Sequence, residues 1–61
     1  MIEYKRFDGE TDDALILRIC RDKDIIGSWE DVCEILNNLL GANYRPNTYR
    51  NRFQNYDKFR Q

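Results

Sequence analysis

Ser28-Trp29-Glu30-Asp31-Val32-Cys33-Glu34-Ile35-Leu36-Asn37-Asn38-Leu39-Leu40-Gly41 is the stretch whose pattern decides the fold. Trp29, Val32, Cys33, Leu36, Leu39 and Leu40 recur at intervals of three and four. At about 100° per residue they line one face of an α-helix. Ser28 is placed to cap the first turn, with Asp31 where a capping box usually carries Glu or Gln. Gly41 follows as a residue free to adopt positive φ and end the helix. A helix over residues 28–40 is the expectation, and one such stripe needs others to bury it.

Both flanks supply them. Thr11-Asp12-Asp13 reads as an N-cap followed by acidic residues that suit the helix dipole. Leu15, Ile16, Ile19 and Cys20 then form a stripe that points to a helix over about 11–24, stopping before Gly27. Leu17 lies off that stripe, either to be covered by the N-terminal arm or to mark a partner surface. On the other side Pro46 fits the first turn of a helix, where its missing N–H costs nothing. Tyr49, Phe53 and Tyr56 recur at i, i+4 and i+7 as its inward face. That third helix runs to about residue 60 without a stop signal, leaving it open whether the chain continues. Tyr44, in the connector, is expected to tuck against the core. In residues 1–10 Ile2 and Tyr4 alternate, but a lone strand has nothing to pair with, so an extended arm anchored by Tyr4 or Phe7 is expected.

The predicted fold is therefore all-α: a three-helix bundle of helix-turn-helix type over 11–61, with an arm over 1–10. Sixty-one residues make one small domain, which buries only about 60% of the surface its unfolded chain exposes. Such a chain offers little concavity in which to shift a catalytic pKa. It contains no histidine, the commonest general base, and no glycine-rich phosphate loop. A non-enzymatic binding module without cofactor, metal or small-molecule substrate is expected. Cys20 and Cys33 each fall in an apolar helical pattern and read as buried free thiols. No apolar run approaches the roughly 18 residues of a membrane span, and Met1 to Phe7 lacks the apolar core of a secretory signal. A cytoplasmic protein is the expectation.

The formal net charge of −1 conceals an asymmetry. Residues 1–44 carry five basic and ten acidic residues, whereas residues 45–61 carry Arg45, Arg50, Arg52, Lys58 and Arg60 against Asp57 alone. A basic segment on an acidic body points to a polyanion partner or to a solvated face balancing its neighbours. Opposite the aromatic stripe of the third helix fall Asn47, Asn51, Gln54 and Lys58, with Arg50 and Arg52 flanking and Asn55 between Arg52 and the polar centre. Asn and Gln can pair bidentately with adenine, and Arg with guanine, in the major groove. Arg and Lys at the margins can meet phosphates.

Asn47-Thr48-Tyr49-Arg50-Asn51-Arg52-Phe53-Gln54-Asn55 resembles the third helix of a Myb/SANT-type helix-turn-helix repeat. Phe7, Trp29 and Phe53 stand where such repeats carry their three core tryptophans. Asp24-Ile25-Ile26-Gly27-Ser28-Trp29-Glu30-Asp31-Val32, together with Tyr49-Arg50, also resembles small helix-turn-helix domains encoded by phages and prophages. That group often has the domain at the N-terminus of a longer protein. The Myb/SANT resemblance implies Asn47, Arg50 and Asn51 facing bases of double-stranded DNA, with Arg52, Asn55 and Lys58 near phosphates. A phage origin implies the cytoplasm of a bacterial host. The 24 residues from Trp29 to Phe53 exceed the usual spacing, which implies a longer second helix or loop. An acidic body is also a feature of SANT-type members that bind proteins. The alternative partner is accordingly a basic protein meeting Asp12, Asp13, Asp22, Asp24, Glu30, Asp31 and Glu34, and a homodimer through Leu17 and the arm is a further expectation.

Overall fold

The computed structural model describes residues 3–59, and the side chains of residues 3–56. Among them there are four helices and no strand: α1 (Asp12–Arg21), α2 (Lys23–Ile26), α3 (Trp29–Leu40) and α4 (Pro46–Phe59). The expected end of the last helix at residue 60 lies outside the described residues. No helix described is long and apolar enough to cross a membrane.

The caps follow local chemistry. The Thr11 hydroxyl accepts the Ala14 N–H at 3.2 Å and that of Ser28 accepts the Asp31 N–H at 3.2 Å. Each satisfies a backbone donor that the first turn leaves free. Gly41 ends α3 in the left-handed region, at φ 65° and ψ 32°, where a Cβ would be strained.

The expected first helix is corrected: instead of one helix over 11–24, the chain breaks at Asp22. Its φ of −91° and ψ of 13° leave the helical well, and its N–H bonds back to the Ile19 carbonyl at 3.0 Å. Its own carbonyl then accepts from Ile25 and Ile26, starting the single turn of α2. Two causes act together. Asp is a poor interior helix residue, and the Tyr4 hydroxyl donates to Asp22 Oδ2 at 3.1 Å, holding that side chain toward the arm. Three helices become four.

The core consists of Leu15, Ile16, Ile19, Cys20, Val32, Cys33, Leu36 and Tyr49. α4 packs against both α1 and α3, and burying a side chain such as Leu36 is worth about 1.5–3 kcal/mol. Tyr4, Ile26, Trp29, Leu39, Leu40 and Phe53 cover the edges. Both cysteines are buried and unbridged, as the sequence pattern implied. Leu17 is partly buried.

Two aromatic expectations are corrected. Phe7 is not a core residue: it is 60% exposed, and Tyr4 packs against the core in its place. The reason is a turn in the arm. Glu10 returns its N–H to the Phe7 carbonyl at 3.1 Å and accepts the Phe7 N–H on Oε1 at 3.1 Å. That turn leaves Phe7 on the outside, where the Arg18 guanidinium lies 4.0 Å from its ring centre. Tyr44 is likewise not tucked in but 56% exposed, its ring meeting the core edge-on against Tyr49, with ring centres 5.9 Å apart. Trp29 and Phe53 do meet, at 6.1 Å.

Candidate nucleic-acid interface

The residues that suit DNA contact lie on α4, so the rigidity of that helix comes first. Tyr49 is fully buried, and burial pushes its phenol up to about 12. It therefore remains a neutral hydrogen-bond donor, and it donates to Oδ1 of Asn37. The same Oδ1 accepts the Tyr44 N–H at 3.1 Å, and Asn37 Nδ2 donates to the Tyr44 carbonyl at 3.0 Å. The Cys33 thiol also donates to that carbonyl, at 3.1 Å. The backbone carbonyl of Asn37 accepts from Gly41 and Ala42. One side chain thus joins the end of α3, the connector over 41–45 and the first turn of α4. The sequence reading missed it. Its one signal was an amide beside the apolar stripe, one turn ahead of the terminating glycine.

The second anchor is Asp13 on α1. Its Oδ1 lies 3.6 Å from Arg52 Nη1, and its carboxylate raises the pKa of the Tyr56 hydroxyl by hydrogen bonding. Arg52 falls about 60° round the helix from Tyr49, so it leans to the α1 edge rather than to the outward face. Phe53 and Tyr56 are partly buried beside it.

The outward arc contains the rest. Asn47, Arg50, Asn51, Gln54 and Asn55 are all exposed, and so is Arg45 just ahead of the helix. At about 100° per residue the arc runs from Arg50 through Gln54, Asn47 and Asn51 to Asn55. Lys58 belongs on the same arc by position, and its side chain lies outside the described residues. Of the seven expected positions the structure groups five on one exposed face and sets Arg52 apart, engaged with Asp13. Such a face presents paired donors and acceptors together with a guanidinium, the groups that match base edges in a major groove.

The acidic residues divide differently. Asp12 pairs with Arg6, Asp13 with Arg52, and Asp24 with Lys23 at 3.8 Å, while Asp22 accepts from Tyr4. Glu30, Asp31 and Glu34 on α3 are exposed and have no ion-pair partner among the described residues. Glu10, with its side chain only 9% exposed, is gripped by Arg18. Arg18 Nε reaches Oε2 at 2.8 Å, and its Nη2 reaches Oε1 at 3.0 Å and the Lys5 carbonyl at 2.6 Å. That hydrogen bonding holds the Glu10 carboxyl below its ordinary value of 4.5 and keeps the guanidinium charged. The arm is thereby fastened to α1. Among the described residues no group of three His, Cys, Asp or Glu is arranged to hold a metal ion.

Across residues 1–61 the chain matches the family model described as the YonJ N-terminal domain. It belongs to that family, which is associated with Bacillus phages and prophages. No curated protein and no solved structure matches it.

Proposed function

We propose that this member of the YonJ N-terminal domain family is a DNA-binding helix-turn-helix module that lays α4 in the major groove. One observation carries the reading. The outward arc of α4 holds five exposed polar side chains of base-reading type, while its inward face is locked by the fully buried Tyr49. A helix fits the major groove, and a helix fixed on a packed body presents its side chains without a backbone ordering cost at the moment of binding. In this reading α3, the connector and α4 form the helix-turn-helix pair. Asn47, Arg50, Asn51 and Gln54 face bases. Asn55 and Lys58 lie near phosphates, and Arg45 joins them. Arg52, drawn to Asp13, serves first to orient the helix and second as a phosphate contact.

In this reading the phage association of the family puts the task in a bacterial host's cytoplasm. The competing reading, a SANT-like protein-binding module acting through seven acidic residues, is weakened by the pairing of Asp12, Asp13, Asp22 and Asp24 within the chain. The α3 trio remains unpaired among the described residues, and Asp24 keeps its side chain 99% exposed. A single copy with few phosphate contacts binds weakly and loses affinity steeply with salt. Tight binding to a unique site then needs a second copy or a fused domain.

An Arg50→Ala, Asn51→Ala double variant tests this by fluorescence anisotropy on a duplex at low salt. Neither side chain is in the core, so the thermal midpoint is expected to hold while DNA binding is lost. Wild-type affinity in the folded variant would overturn the assignment of α4.

A further inference from the structure

Resting on that reading of α4, we infer that the domain prefers A·T-rich DNA and recognises it through the major-groove edges of adenines. The structure supplies the reason by setting one of the two candidate guanidiniums off the outward arc, at the α1 edge. Arg52 is turned to Asp13, with Nη1 at 3.6 Å from Oδ1. What remains exposed on the described outward arc is four carboxamides, Asn47, Asn51, Gln54 and Asn55, beside the single guanidinium of Arg50.

A carboxamide carries a donor and an acceptor side by side. Adenine offers the complement, an N6 amino donor next to the N7 acceptor, so the pair closes two hydrogen bonds. Guanine offers N7 and O6, both acceptors. The amide's NH2 satisfies one and its oxygen then faces the other. Cytosine presents its N4 donor alone and closes a single bond. A face made of amides is therefore selective for adenine by subtraction: every other base leaves one half of the amide unmatched in a partly desolvated groove.

The spacing agrees. Asn47, Asn51 and Asn55 stand on successive turns, each about 6 Å further along the helix axis. The amides set against bases, Asn47, Asn51 and Gln54, span about 10 Å along the axis, or about three base-pair steps at roughly 3.4 Å each, and Asn55 continues the row toward the phosphates. Arg50 sits at one margin of this arc, where it admits a guanine at the edge of the site without setting its centre.

Three duplexes of equal length test the inference in one anisotropy experiment at low salt. The first is A·T-rich and of mixed step order, the second G·C-rich. The third repeats the first with 7-deazaadenine for adenine, which deletes the N7 acceptor and leaves the minor groove unchanged. The expected result is binding to the A·T-rich duplex about tenfold tighter or more, the discrimination of a single bidentate contact. The preference is expected to collapse on the 7-deazaadenine duplex and with Asn51→Ala. Equal affinity for the first two duplexes would overturn the inference and leave DNA binding standing. A preference that survives 7-deazaadenine would also overturn it, since the discrimination would then come from the minor groove or from duplex shape. No binding to any of the three would remove the DNA reading itself, and this inference with it.

Discussion

The side-chain amide of Asn37 closes a ring of two hydrogen bonds with the backbone of Tyr44, accepting its N–H at 3.1 Å and donating to its carbonyl at 3.0 Å. In a connector with no regular structure those backbone groups would otherwise depend on water. The same amide oxygen receives the buried Tyr49 hydroxyl. The entry angle of α4 is therefore set by a residue on α3 that touches none of the proposed DNA contacts.

Replacing Asn37 by Ala leaves the Tyr49 hydroxyl and the Tyr44 N–H without their partner, while the Tyr44 carbonyl keeps the Cys33 thiol. The expected loss is about 1–3 kcal/mol of folding free energy, the range for stranding one buried polar group, here the hydroxyl of the fully buried Tyr49. Asn38→Ala, one residue on and exposed, is expected to stay within about 0.5 kcal/mol of wild type. Urea denaturation of the two variants makes the comparison. Equal stabilities would show that the amide network does not hold the connector.

Stability is expected to fall in acid, and Glu10 supplies an identifiable part of the fall. Its folded pKa lies below the ordinary 4.5 because Arg18 hydrogen-bonds the carboxylate. Just beneath the ordinary value the unfolded chain binds more protons than the folded one. The contribution is therefore complete above about pH 5 and is lost as the pH drops through the lowered folded value. Glu10→Gln is expected to lower the thermal midpoint at neutral pH and to converge on wild type in acid. A constant difference between the two at every pH would contradict the pairing.

The thiols are expected to be inert in the folded protein. Burial pushes Cys20 up to about 12 and raises Cys33 as well, and the thiolate is the reactive form. At about pH 8 an aromatic disulfide reagent is expected to titrate neither cysteine until denaturant is added, apart from slow reaction through transient opening. Rapid stoichiometric labelling of the native domain would contradict the packing of α1 on α3.

Much of the fold was legible where a feature depends on its nearest neighbours in sequence. Thr11, Ser28 and Gly41 act within one turn of themselves, so their roles follow from residue type and spacing. The stripe from Trp29 to Leu40 and the burial of Tyr49 are periodicities, readable without a partner. The break at Asp22 was not legible, because it involves a hydroxyl from Tyr4, 18 positions away. Which of Tyr4 and Phe7 anchors the arm was not legible for a similar reason: both are aromatic residues in an arm, and the turn closed by Glu10 decides that Tyr4 faces inward. For the candidate site, helical spacing located the exposed arc of α4 but not the diversion of Arg52, which depends on Asp13 of a different helix. The role of Asn37 was not legible because a polar residue beside an apolar stripe ordinarily faces solvent, and its partners come from the connector and from α4.

The central claim is that α4 is the surface that meets DNA. An NMR titration of the labelled domain with a mixed-sequence duplex at low salt tests it most directly. The account predicts shifts concentrated in residues 45–58, strongest at Asn47, Arg50, Asn51 and Gln54, and reversed by added salt. An α4 that stays silent at millimolar duplex, or shifts confined to α1 and α3, would contradict it.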